Sequence, residues 1–153
     1  MLIDYFKLRD SAKDPVRANP SDAGLDVFYC PSDNRSQLKI PSGHSVIVET
    51  GLKFGIPHGF MLEVKNRSSM AAKKQLIVGA CIIDPGYNGE LMINLHNISK
   101  HERSIRSGDK IAQVIMIPII HFRARKLMTD TLYESDICIS NRGTGGFGST
   151  GSG

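Results

Sequence analysis

Four stretches of this chain carry side chains suited to holding an anion or moving a proton. Asp84 stands in Asp84-Pro85-Gly86-Tyr87-Asn88-Gly89, between Ile82-Ile83 and the apolar run that starts at Leu91. The segment reads as a tight hairpin between two apolar strands, and since Asp, Pro, Gly and Asn are what turns use, plain turn chemistry accounts for it. A carboxylate fixed at such a turn is also placed to take a proton from water, and a positioned base contributes roughly 10²–10⁴ in rate. Arg67-Ser68-Ser69-Met70-Ala71-Ala72-Lys73 offers serine amides and hydroxyls at a helix start, where the dipole favours phosphate oxygens. An ordinary capped helix beside a surface arginine explains those residues equally well. Gly108-Asp109-Lys110-Ile111-Ala112-Gln113 reads as a turn entering a strand, with Gln113 the polar residue of an apolar run.

The fourth stretch is Arg142-Gly143-Thr144-Gly145-Gly146-Phe147-Gly148-Ser149-Thr150-Gly151. It satisfies G-x-G-x-x-G, but no strand–turn–helix unit surrounds it, and Ser149 stands where a phosphate-loop lysine belongs. A flexible spacer would need only the glycines and serines. Arg142, Phe147, Ser149 and Thr150 add more: a guanidinium fork for phosphate, a ring to cover a base, and hydroxyls among glycine amides. The mixture predicts a mobile arm, residues 141–153, that closes over a nucleotide.

Positioning these groups falls to short strands. Turn signals recur at Asn19–Asp22, Pro31–Asn34, Pro41–Gly43, Pro57–Gly59, Asp84–Gly86 and Ser107–Asp109, with Val, Ile and Leu between them. Ser45–Leu52, Leu91–Asn97 and Ile111–Ile120 read as strands, with Leu91, Ile93 and Leu95 on one face. The helical candidate is brief, Ser69–Lys74, with Ser68 or Ser69 as N-cap. Short strands with frequent Gly and Pro turns predict an all-β sandwich or barrel over residues 1–140.

Composition narrows the function. With 153 residues, 41% hydrophobic and 22% charged, the chain has room for one globular domain. No apolar run reaches the ~18–20 residues of a membrane span; the longest is broken by Gln113 and Pro118. The net charge of +4 comes from 19 scattered basic residues without interleaved aromatics, which argues against a nucleic-acid groove. Cys30, Cys81 and Cys138 are far apart and lack metal spacing, so they read as reduced, buried thiols of an intracellular, cytoplasmic protein.

In order and separation, these segments resemble the five motifs of the trimeric dUTPase family. Ala23-Gly24-Leu25-Asp26-Val27 is similar to the first and Arg67-Ser68-Ser69 to the second. Val78-Gly79-Ala80-Cys81-Ile82-Ile83-Asp84-Pro85-Gly86-Tyr87 resembles the third, Gly108–Gln113 the fourth and Arg142–Gly151 the fifth. Ser69 and Cys81 stand where relatives commonly have Gly. The resemblance implies an all-β, jelly-roll-like (β-clip) homotrimer with shared active sites that hydrolyses dUTP to dUMP and pyrophosphate with Mg²⁺. It implies that Asp26 lies near the Mg²⁺–triphosphate, through water, with the metal held mainly by the triphosphate. Arg67, Ser68, Ser69 and Gln113 would bind phosphate oxygens. Backbone near Cys81, Ile82 and Met92 would read uracil, and Asp84 would orient the attacking water. Tyr87 would pack under the deoxyribose and oppose a 2′-hydroxyl. Phe147 would stack on the base while Arg142, Gly148, Ser149 and Thr150 hold the γ-phosphate.

Arg67-Ser68-Ser69 and Asp84-Pro85-Gly86 also resemble dCTP deaminases of the same fold, so a deaminase or a bifunctional deaminase–pyrophosphatase is one alternative. There, deamination relies on a Glu and an Arg at the positions of Asn94 and Ala72, and an amide cannot shuttle a proton as a carboxylate does. A non-catalytic regulatory protein on this scaffold is the other alternative; the full set from Asp26 to Phe147 argues against lost catalysis.

Overall fold

The computed structural model describes residues 1–133, and all six expected turns appear in it. They cut the chain into strands β1 (Asp4–Lys7), β2 (Leu25–Phe28), β3 (Gln37–Ile40), β4 (Ser45–Glu49), β5 (Leu52–Gly55) and β6 (Phe60–Lys65). A helical turn, Met70–Lys74, precedes β7 (Leu76–Val78), β8 (Ile82–Ile83), β9 (Met92–Asn97), β10 (Arg103–Arg106) and β11 (Lys110–Pro118). Pairing is antiparallel throughout, in sheets ordered β2-β11-β6-β8, β4-β9-β7, β1-β5 and β3-β10. The all-β expectation holds. No helix among the described residues is long and apolar enough to cross a membrane.

The chain divides into two units, Met1–His121 and Phe122–Gly153. Among the described residues, the first holds every strand and the buried core. Alternate residues point inward: Ile93 and Leu95 of β9, Val48 of β4, Leu62 and Val64 of β6 and Ile105 of β10 are all buried. Each such side chain contributes about 1.5–3 kcal/mol by leaving water. Phe122–Tyr133, the described part of the second unit, contains turns and bends but no strand. The expected boundary at 140/141, Cys138 and the whole arm, with Arg142, Phe147, Gly148, Ser149 and Thr150, lie outside the described residues.

Three local expectations are corrected. Ser45–Leu52 is not one strand. β4 ends at Glu49, and Gly51 (φ +70°) turns the chain into β5 of another sheet. The helical segment covers residues 68–74 and so contains the expected Ser69–Lys74, but Met70–Lys74 is π-helical, with a bond from the Gln75 amide to the Met70 carbonyl. Ser69 is itself in helical conformation and makes no side-chain cap hydrogen bond, and so short a segment supplies little dipole. The strands flanking Asp84–Gly89 do not form a hairpin ladder, since β8 pairs with β6 whereas β9 pairs with β4 and β7. Cys30 is buried as expected, but Cys81 is only half-buried; both are free thiols.

Candidate active site

Three of the motif segments meet at one edge of the β2-β11-β6 layer, and an irregularity in β11 brings them there. Lys110 faces Phe28 across β11–β2, so regular antiparallel pairing would set Gln113 opposite Leu25. The register instead shifts between Lys110 and Ala112: Ala112 faces Val27 and Gln113 faces Asp26. Ile111 is the extra residue of a β-bulge, which is why Ile111 and Ala112 are buried in succession. On its other side Gln113 faces Lys65, the last residue of β6, and Arg67 follows two residues on.

The side chains then interlock. Asp26 is only 8% exposed and accepts from two cations. Arg67 Nε donates to Oδ1 at 2.7 Å, and Lys110 Nζ donates to Oδ2 at 2.8 Å. Arg67 Nη1 also donates to the Lys110 carbonyl at 3.4 Å. Gln113 Nε2 donates to the Asn66 carbonyl at 2.9 Å, while Asn66 Oδ1 accepts from the Val78 amide at 2.6 Å, tying the loop before Arg67 to β7. Gly24 leaves the room Gln113 needs, because a Cβ there would sit 2.5 Å from Gln113 Oε1. Two cations against one carboxylate leave a net positive edge with guanidinium, ammonium and amide donors, a constellation fitted to polyphosphate oxygens.

Asp84 and Tyr87 occupy a separate turn. Pro85 and Gly86 (φ +85°) are its central residues, and the Tyr87 amide donates to the Asp84 carbonyl at 3.2 Å. Pro at the first central position and a positive-φ Gly at the second are the type II combination. The Asp84 carboxylate is exposed and has no hydrogen bond or ion pair among the described residues. Tyr87 is half exposed, and its hydroxyl donates to the Glu90 carbonyl at 3.0 Å. Tyr87 and Gly86 line a cavity of about 550 Å³ with Tyr5, Phe54 and Ile56. No hydrogen bond or ion pair links this turn to Asp26, Arg67 or Gln113 among the described residues.

The other site candidates divide in the same way. Ser68 and Ser69 are exposed beside Arg67. Cys81 gives its carbonyl to the Val64 amide at 2.7 Å, which joins β8 to β6, and Ile82 is 50% exposed. Met92 lies on β9 opposite Glu49 and lines a different cavity with Tyr29, Val46 and Ile47. Asn94 is half-buried, with Oδ1 at 2.7 Å from His96 Nε2, and Ala72 is exposed on the helical turn. Sequence reasoning missed Lys110, Asn66 and Gly24. Lys110 sits within the recognised Gly108–Gln113 segment, but nothing local marks a partner 84 residues away.

A metal has few protein ligands to use here. Among the described residues no cluster of three or more His, Cys, Asp or Glu exists, and both Asp26 oxygens already accept hydrogen bonds. Such a donor set suits a hard cation that arrives on phosphates and reaches the protein through water.

An all-β domain whose sheet edge gathers a carboxylate, two cations and an amide is suited to binding a nucleotide polyphosphate. Comparison with known proteins makes this specific. The dUTPase family model matches residues 10–151, and the chain belongs to the dUTPase family. The deoxyuridine 5′-triphosphate nucleotidohydrolase of Fowl adenovirus A serotype 1 is 35% identical over 150 residues, which cover 97% of this chain and 77% of the relative. Among solved structures, the dUTPase of Staphylococcus bacteriophage 80alpha with dUpNHpp superposes with a TM-score of 0.82 at 24% identity, covering 99% of each chain. A mutant dUTPase of phage phi11 of S. aureus, described for its coordination of a structural Mg(II) ion, gives a TM-score of 0.75 at 22% identity, covering 84% of this chain and 98% of that one. These two structures share the fold.

Proposed function

We propose that the protein hydrolyses dUTP to dUMP and pyrophosphate. The observation that carries this reading is the Asp26–Arg67–Lys110–Gln113 cluster at the β2-β11-β6 edge, built from three of the family's motif segments. Arg67 and Gln113, with Ser68 and Ser69 beside them, bind the triphosphate, and Lys110 adds a further positive charge. Asp84 accepts a proton from water as the water oxygen attacks the α-phosphorus. The Pα–O–Pβ bond breaks, and its electron pair leaves with pyrophosphate. The donors at the edge stabilise the charge that builds there. Asp26 would hold a Mg²⁺ ion through water, with the triphosphate as its main ligand, and the ion when bound would supply charge neutralisation for the leaving pyrophosphate. Backbone groups near Cys81, Ile82 and Met92 select uracil, and Tyr87 packs against the deoxyribose. The arm at residues 141–153 brings Phe147 to the base and Arg142, Gly148, Ser149 and Thr150 to the γ-phosphate.

The complete site forms between subunits of a homotrimer in this reading. Support comes from the chain's membership of the dUTPase family, whose motifs it resembles in order, and from exposed apolar side chains such as Ile47, Ile82 and Ile98 that an assembly would bury. The test is pyrophosphate release from dUTP, UTP, dTTP and dCTP, with Mg²⁺ and with EDTA. Turnover confined largely to dUTP and dependent on Mg²⁺ supports the reading. Equal turnover of all four, or ammonia from dCTP, overturns it.

A further inference from the structure

A partly buried ion pair outside the described cluster fixes the strand that leaves the Asp84–Gly89 turn. Arg9, in the loop after β1, clasps Glu90 with both terminal nitrogens: Nη1 donates to Oε2 at 3.0 Å and Nη2 to Oε1 at 2.5 Å. The Arg9 and Glu90 side chains are 19% and 17% exposed. Arg9 Nε is buried with no partner among the described residues, so the two Nη atoms hold the head. Arg9 Nη2 also donates to the Cys30 carbonyl at 3.2 Å and lies 3.6 Å from Glu49 Oε1. The Glu90 carboxylate accepts a third hydrogen bond, from the Gly51 amide to Oε1 at 2.7 Å. The following residue is pinned on both sides of its peptide, since the Leu91 amide donates to the Leu52 carbonyl at 2.7 Å and its carbonyl accepts from Thr50 Oγ1 at 2.7 Å.

This anchorage ends on Tyr87. The acceptor of the Tyr87 hydroxyl is the backbone carbonyl of Glu90 itself, at 3.0 Å. We propose that Arg9 and Glu90 are positioning residues for sugar selection, holding the carbonyl that orients the Tyr87 ring against the deoxyribose. The proposal rests on the reading of Tyr87 as the sugar wall. An apolar wall rejects an added hydroxyl by only about 10², and a wall free to tilt rejects it less. A bidentate guanidinium–carboxylate fork has the geometric definition to prevent that tilt, which a single ammonium contact lacks.

The experiment compares kcat/KM for dUTP and UTP in the parent, Arg9→Lys, the paired variant Arg9→Met with Glu90→Gln, and Tyr87→Ala. The ratio of the two constants does not depend on the folded fraction, so partial loss of stability leaves it readable. Inhibition by inorganic triphosphate reports the phosphate edge separately. The expected result is a fall of at least about tenfold in the dUTP/UTP ratio for Arg9→Lys and for the paired variant, out of the ~10² available, with triphosphate inhibition unchanged. A ratio within about twofold of the parent in both, while Tyr87→Ala lowers it, overturns the proposal and leaves the Tyr87 reading standing. A Tyr87→Ala variant that keeps the parental ratio takes down that reading and the proposal with it. A fall in the ratio matched by an equal loss of triphosphate inhibition marks general loosening and also overturns the positioning role.

Discussion

Asp26 holds two cations at the sheet edge, and the strength of that grip is measurable. Unit charges about 4 Å apart attract by about 1 kcal/mol in water and about 4 kcal/mol near a protein surface of lower effective dielectric. Asp26 is nearly enclosed, but the Arg67 and Lys110 side chains remain 24% and 34% exposed, so each pair belongs between those limits, about 1–3 kcal/mol after solvent screening. Removing one member of a deeply buried pair costs roughly 3–5 kcal/mol. Here the freed cations can reach water, and the expected cost of Asp26→Asn is about 2–4 kcal/mol. At about 2–4 °C per kcal/mol for a chain of this size, Tm should drop by roughly 5–15 °C. Arg67→Met and the double variant complete a cycle, measured by urea denaturation at equal protomer concentration because assembly contributes to apparent stability. The Asp26–Arg67 coupling should be about 1–2 kcal/mol. A coupling within the ~0.5 kcal/mol expected of independent sites, or a variant more stable than the parent, would refute the account of this edge.

Asp84→Asn should lower kcat by at least ~10², the low end for a general base, with KM for dUTP nearly unchanged; turnover within a few-fold of the parent removes Asp84 from that role. Gly24→Ala drives a methyl against Gln113 Oε1 and should cost roughly 10–10² in kcat/KM through misplacement of the amide, whereas an unchanged rate shows that Gln113 is not needed where it lies. Glu49 titrates below its ordinary value of 4.5: burial raises it, but the Ser32 amide at 2.8 Å, the Ser32 side chain and the Arg9 charge outweigh that. A carboxyl more acidic folded than unfolded adds stability above its unfolded value, and that share is lost as pH falls through the folded value. Glu49→Gln should therefore flatten the decline in stability below about pH 4.5, and a decline as steep as the parent's contradicts the assignment. Deleting residues 142–153 should abolish activity, and mixing that chain with full-length Asp84→Asn chains should restore part of it if sites are shared between subunits. A mixture as inactive as its components excludes sharing.

Turns and apolar alternation made much of the fold legible. Gly and Pro mark chain reversals by backbone sterics alone, and Leu91, Ile93 and Leu95 are buried on one face as their spacing requires. What stayed hidden was long-range. Apolar content carried the reading of β4 through Gly51 into β5, because composition does not reveal where a positive φ sends the chain to another sheet. The hairpin expected at Asp84 failed for a similar reason: adjacency in sequence suggested pairing, while β8 found β6 and β9 found β4 and β7. At the candidate site, Asp26, Arg67 and Gln113 were legible as residue types in ordered segments. The bulge that sets Gln113 opposite Asp26 was not, since Ile111 and Ala112 look like any other pair in an apolar run. Lys110 escaped notice because its partner is set by strand register and not by local spacing.

In the proposed reaction water attacks the α-phosphorus of dUTP and pyrophosphate leaves. Turnover of dUTP with Mg²⁺ in ¹⁸O-labelled water, with the products weighed by mass spectrometry, tests it most directly. The expected products are dUMP carrying one ¹⁸O atom and unlabelled pyrophosphate. Label in the pyrophosphate, release of dUDP and orthophosphate, or no turnover of dUTP would contradict it.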